Sequence, residues 1–102
     1  GVVGVVDLEM ADNVSVWERR VAAGMTQLRV AAGVWRDHLD RAVARELATG
    51  DVVGGTHGLV TLGPFKVISD GSLNTRTAYC HEPYAGLEGP HAHGVLNVPT
   101  EE

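Results

Sequence analysis

Val2-Val3-Gly4-Val5-Val6-Asp7-Leu8 is a nearly continuous apolar run, rich in valine, with its one charge near the C-terminal end. A strand with one wet face would alternate; a continuous run marks a strand covered on both faces, as parallel sheets require. The residues just beyond the run decide the fold class. Asp12 or Asn13 can cap a helix over about 14–23, in which Val14, Trp17 and Val21 fall at i, i+3 and i+7 on one face. Gly24 stands where a terminating glycine belongs. Leu28, Val30 and Ala32 then alternate against Gln27 and Arg29, predicting a second strand over 27–32. A second helix is expected over 36–48, with Leu39, Val43 and Leu47 every fourth residue and Gly50 closing it.

Beyond it, Asp51 to Gly58 reads as a glycine-rich loop. Residues 59–62 and 65–69 are strand-like and are parted by Gly63-Pro64; a proline, lacking an N–H, belongs at a strand start or a bulge. From Asp70 to Gly94 no period appears, and residues 95–98 suit a final short strand. The expected architecture is α/β: a βαβαβ parallel-sheet unit over 1–69, followed by a long irregular segment with a terminal strand over 70–102, in one domain. Right-handed crossovers would put both helices on one face of the sheet and leave the other bare. The chain opens in a strand-like run without Met and ends on Pro99-Thr100-Glu101-Glu102, which reads as a helix start, so both ends are expected to be internal to a longer protein.

Composition narrows the partners. Eight Lys and Arg against thirteen Asp and Glu give a net charge of −5, with Lys66 the only lysine, so no basic stripe exists to hold nucleic acid or an anionic membrane. No apolar run approaches the roughly 18 residues of a membrane span. Cys80 is the single cysteine, which rules out an intrachain disulfide and fits a reducing, cytoplasmic setting.

The stretch from Gly63 to Ala78, GPFKVISDGSLNTRTA, holds the residues with chemical promise. Strand alternation puts Lys66, Ile68 and Asp70 on one face. A lysine inside an apolar strand is held toward its neutral form by desolvation, and a neutral amine can act as a base, a Schiff-base former or a carbamate precursor. The same spacing suits a strand-end lysine that snorkels to solvent or pairs with Asp70. Asp70-Gly71-Ser72 also fits an Asx or Ser turn. Arg76 can hold a substrate carboxylate through two hydrogen bonds or tie the loop to Asp70 or Glu82, the role favoured here. His91-Ala92-His93 has metal-ligand spacing but lies in a Gly-Pro loop, and His81 sits beside Cys80 without a signal for thiol activation.

Lys66 followed by Asp70-Gly71-Ser72-Leu73 and Arg76-Thr77-Ala78 resembles the motif of the YtcJ-like amidohydrolases, the amidohydrolase 3 branch of the metal-dependent hydrolase superfamily. Gly1 to Asp7 is similar to that family's strand ending in Asp. Glu82-Pro83-Tyr84-Ala85 resembles its Glu-Pro-Tyr segment, and Gly94-Val95-Leu96 with Pro99 to Glu102 resembles its next strand and helix start. Asn74 and Thr75 depart from the family's Gly and small residue, though Asn tolerates a left-handed backbone. The upstream His-x-His strand, the downstream metal-binding histidines and the final catalytic Asp are missing.

The resemblance implies a segment of a (β/α)8 barrel that holds zinc-like divalent metal at the C-terminal ends of its strands. Lys66 is then the candidate carbamylated lysine bridging two metals, and Asp70, Ser72 and Arg76 the substrate or loop residues. It implies hydrolysis of an amide-type C–N bond in a small molecule, by water that the metal activates. The isolated chain, short of ligands, is expected to hold no metal and to be inactive. Open sheet edges point to a homo-oligomer. The alternative is a stand-alone small α/β module for binding or assembly, without catalysis.

Overall fold

The computed structural model describes residues 1–101. They form two compact units, Gly1–Val67 and Ile68–Glu102. The first is α/β: strand β1 (Gly4–Asp7), helix α1 (Asn13–Ala22), strand β2 (Arg29–Trp35), a 3-10 turn (Arg36–His38), helix α2 (Leu39–Ala44) and strand β3 (Val60–Lys66). The three strands make one sheet in the order β1-β2-β3, and both pairings are parallel. No helix among the described residues is long and apolar enough to cross a membrane.

One core explains why both helices lie on the same face. Val14, Trp17 and Val21 of α1 and Ala42 of α2 pack in a single cluster with Val30, Ala32 and Val34 of β2 and with Val60 and Leu62 of β3. Val30 is thus buried on the helix side, at 2% exposure. Partners in parallel register share a face, so Val6, Ala31 and Thr61 define the side the helices leave open.

Both helices end the same way. After α1, Gly24 takes a φ of 98°, while its N–H donates to Val21 and that of Met25 to Arg20. After α2, Glu46 takes the left-handed turn at φ 54°; its N–H donates to Val43 and that of Leu47 to Ala42. This is the Schellman pattern, in which the residue after the turn makes an apolar contact back to the helix. Leu47 makes that contact, half-buried against the core. It is the third member of the four-residue period, but it lies outside the helix, and α2 stops well short of the expected 48.

The expected pair of strand pieces around Gly63-Pro64 is one strand, β3, ending at Lys66 and not at 69. Its register against β2 slips between Ala32 and Val34, the bulge that accommodates Pro64. Gly63 is required there, since a Cβ would stand 2.9 Å from Ala32 C and from Gly33 N. Carried past this point, β2 runs on to Trp35.

The glycine-rich loop is an arm laid on the outer edge of β3. Gly50 N–H donates to Leu62 O (2.9 Å), Leu62 N–H to Asp51 O (2.8 Å) and Val53 N–H to Val60 O (2.9 Å). Val53 is fully buried. Thr56, 1% exposed, donates its hydroxyl to Val53 O at 2.6 Å. The β3 edge that the sequence leaves open is therefore closed over residues 60–62.

The second unit has no helix among its described residues, yet it is hydrogen-bonded throughout. Asp70 and Leu96 form an antiparallel bridge, and Asn97 N–H donates to Ser69 O (2.8 Å). Cys80 N–H donates to His93 O (2.9 Å) and Tyr84 N–H to Ala92 O (2.8 Å). The terminal strand expected at 95–98 is reduced to that single bridge.

Candidate functional site

In parallel α/β sheets, ligands bind beyond the C-terminal ends of the strands. Here that end carries Asp7, Trp35 and Lys66, each the last residue of its strand. Asp7 is committed to structure: Oδ2 accepts from Trp17 Nε1 at 2.7 Å and Oδ1 from Glu9 N–H at 3.0 Å. Asn13, 2% exposed, donates Nδ2 to Glu9 O and to Gly33 O, both at 2.9 Å. Trp35 Nε1 donates to Leu8 O at 3.0 Å. These bonds stitch the β1–α1 loop to β2 and hold the C-terminal end of the sheet still.

Lys66 is paired in register with Trp35, as Phe65 is with Val34, which is buried on the helix side. Trp35 and Lys66 therefore share the open face. Lys66 is half-buried, and no carboxylate within residues 1–67 forms an ion pair with it. Because β3 stops there, Ile68 and Asp70 do not continue its alternation; they belong to the second unit.

Within the second unit the Asp-Gly-Ser turn is built tightly. Asp70 Oδ2 accepts from Tyr79 N–H (3.0 Å) and Oδ1 from the Ser69 hydroxyl (3.3 Å). Ser72 Oγ donates to Asn74 Oδ1 (2.8 Å) and meets Thr75 Oγ1 (2.6 Å), which in turn meets Thr77 Oγ1 (2.6 Å). Ser72 N–H donates to Thr77 Oγ1 at 3.1 Å, so this threonine closes the turn. Gly71 packs against Thr77, where any Cβ would collide with side chain and backbone. The left-handed residue is Arg76, at φ 57°, and Asn74 serves as an acceptor. Arg76 is exposed, and neither Asp70 nor Glu82 pairs with it. The loop is tied by Thr77 and Asp70, and the arginine tether expected from sequence is not made.

Tyr84 anchors the rest of this unit. Its hydroxyl donates to Ala78 O at 2.8 Å, and the Cys80 thiol lies 3.5 Å from it. The phenol is pushed up to about 12, first by the hydrogen bond with Cys80, then by burial and the nearby Asp70 charge. His93 Nδ1 lies 3.2 Å from Cys80 O, a bond in which that nitrogen carries the proton. Cys80 is thus engaged with Tyr84 rather than with the neighbouring His81. Among the described residues, no three His, Cys, Asp or Glu side chains come together as a metal-holding group.

A hollow of about 220 Å3 lies on the helix side between Leu39, Val43, Leu47 and Phe65, and two more flank the sheet. One, of about 40 Å3, lies on the helix side beside Asp12, His38 and Arg41; it has room for a water molecule or two and none for a substrate. The other, of about 360 Å3, is a shallow depression on the open face between Gly4, Val6, Arg29, Ala31 and Thr61, toward the N-terminal ends of the strands. Sequence alone does not reveal the helix-side network around Asp12. Asp12 accepts from Ser15 N–H (3.3 Å) and Ser15 Oγ (2.7 Å) and pairs with Arg41, while Glu18 pairs with Arg45 at 2.7 Å. The Asp-x-x-Ser spacing is the signal for the first; partners 29 residues apart leave none for the second kind. Comparison with protein-family models, with curated proteins and with solved structures returns no match for this chain.

Proposed function

We propose that this chain is a segment of a metal-dependent amidohydrolase of the YtcJ-like type, part of a (β/α)8 barrel that hydrolyses an amide-type C–N bond in a small molecule. The observation that carries this reading is the position of Lys66. It ends a parallel strand, faces the side free of helices, and is followed by an Asp-Gly-Ser turn that leaves no room for a side chain at Gly71. In a barrel the helix-free side is the interior, and its C-terminal mouth is where such enzymes work.

Among the described residues no three His, Cys, Asp or Glu side chains converge on one point. Lys66 would supply one ligand, and the others would come from sequence outside this chain. In this reading the isolated chain is expected to be inactive. Asp70 and Ser72 shape the loop that follows Lys66 in the chain, and Arg76, exposed within its own unit, carries a guanidinium that can hold a carboxylate.

The arm over residues 50–53 favours a second reading, a self-contained α/β module for binding or assembly. A further parallel strand cannot pair with β3 at residues 60–62 while the arm occupies that edge. Turnover separates the two. A chain extended by its flanking coding sequence should hydrolyse simple N-acyl amides only with divalent metal, and Lys66→Arg should abolish this while leaving the circular dichroism unchanged. An extended chain that folds without metal-dependent turnover would favour the module.

A further inference from the structure

Around Lys66, the polar side chains at the C-terminal end of the sheet are already spent. Asp7 Oδ1 and Oδ2 accept from Glu9 N–H and Trp17 Nε1, and the Asn13 carboxamide donates to Glu9 O and Gly33 O. The Trp35 indole N–H goes to Leu8 O at 3.0 Å. Leu8 is held a second time: the end of its side chain fills the place where a Gly33 side chain would stand, so only glycine fits there. Gly33 and Trp35 alternate with Ala32 and Val34, which are buried on the helix side, and so turn to the open face. Leu8 and Trp35, both half-buried, thus form one fixed apolar wall on that face. Lys66 is the partner of Trp35 in register, about 4.8 Å away across the ladder, on the same face.

We infer that Trp35, braced by Leu8, is a specificity-determining residue: it takes an apolar or aromatic group attached to the amide that is cleaved beside Lys66. The inference rests on the hydrolase reading for the amide, and on the wall itself for the apolar group. An indole whose N–H is spent offers only its face and its edge. A polar substituent laid there gives up water without finding a partner, which costs free energy. Hydrocarbon or a ring laid there gains by burial and by contact with the indole. The tether to Leu8 O fixes the ring beforehand, so little ordering is left to be done on binding. The substrate class is therefore an amide with a hydrocarbon or aryl substituent, in preference to one with a polar substituent.

Binding can be read without turnover. In the chain extended by its flanking sequence, N-benzylacetamide should move the Trp35 indole N–H resonance. That of Trp17, buried and bonded to Asp7, should stay in place, and N-methylacetamide should move neither. The two tryptophans are told apart by the signal lost in Trp35→Phe. With divalent metal present, Trp35→Ala should lower kcat/KM for N-benzylacetamide by on the order of tenfold and leave that for N-methylacetamide within about twofold. A purely structural role would lower both alike. An indole shift without turnover would end the hydrolase reading and support the wall. No shift at Trp35, an equal shift with N-methylacetamide, or equal losses for the two amides in Trp35→Ala would each overturn the proposal.

Discussion

At the scale of single residues, most of the chemically promising side chains serve the fold. Asp7, Asp70 and Tyr84 spend their side-chain oxygens, and His93 its Nδ1, on a neighbouring backbone or side chain. Gly71 shows how tight this is. Gly71→Ala would set a methyl group against Thr77 and its backbone, forcing the turn open. Such a clash costs about 1–3 kcal/mol. The expected result is loss of amide protection at Ser72, Thr77 and Ala78 with β1–β3 unaffected, read by hydrogen exchange. Tyr84 offers a second check. Its phenol, raised to about 12, should ionise late in an alkaline absorbance titration. A raised folded value means the hydrogen bond contributes fully below the ordinary phenol range, near pH 10, and is lost as pH rises through about 12. Tyr84→Phe should remove that late phase.

At the scale of elements, the sequence was legible where one signal ruled and misleading where two competed. The valine run, the i, i+3, i+7 stripe of α1 and Gly24 named the first βα unit, and the parallel pairing of β1 with β2 agrees. In α2 the four-residue spacing of Leu39, Val43 and Leu47 continued past the helix because Leu47 packs from the closing turn, where Glu46 does what glycine usually does. Gly63-Pro64 looked like a break because its rescue, the bulge opposite Gly33, is a property of two strands at once. The arm was invisible because it reaches β3 across the long turn from Gly54 to Leu59, where Gly54-Gly55 does not by itself set a two-residue hairpin register. The start of α1 can be tested directly. Burial pushes the Asp12 carboxyl up, but the bonds from Ser15 and the Arg41 guanidinium outweigh it and hold the group below its ordinary value. Its stabilisation is therefore complete above about pH 4 and is lost as pH falls through the depressed folded value. Asp12→Ala should cost about 1 kcal/mol in urea melts at neutral pH. The difference from wild type should shrink toward zero in strong acid; a difference that persists there would assign the effect to packing.

At the scale of the whole molecule, the first unit is a parallel sheet with helices on one side, a bare face on the other and one lateral edge guarded by its own arm. The bare face and the free β1 edge suit a barrel segment, in which the face becomes interior and the edge meets another strand, whereas the arm on β3 suits a self-contained module. Lys66 stands at the one end of that face where such a barrel would do chemistry. The direct test is whether Lys66 becomes a carbamate. The chain extended by its flanking sequence, incubated with isotope-labelled bicarbonate and divalent metal, should give a single carbamate carbon resonance. That signal should vanish in Lys66→Arg and on metal removal. A folded, metal-loaded extended protein with no such resonance, or with one that survives Lys66→Arg, would contradict the assignment of Lys66 as the bridging lysine.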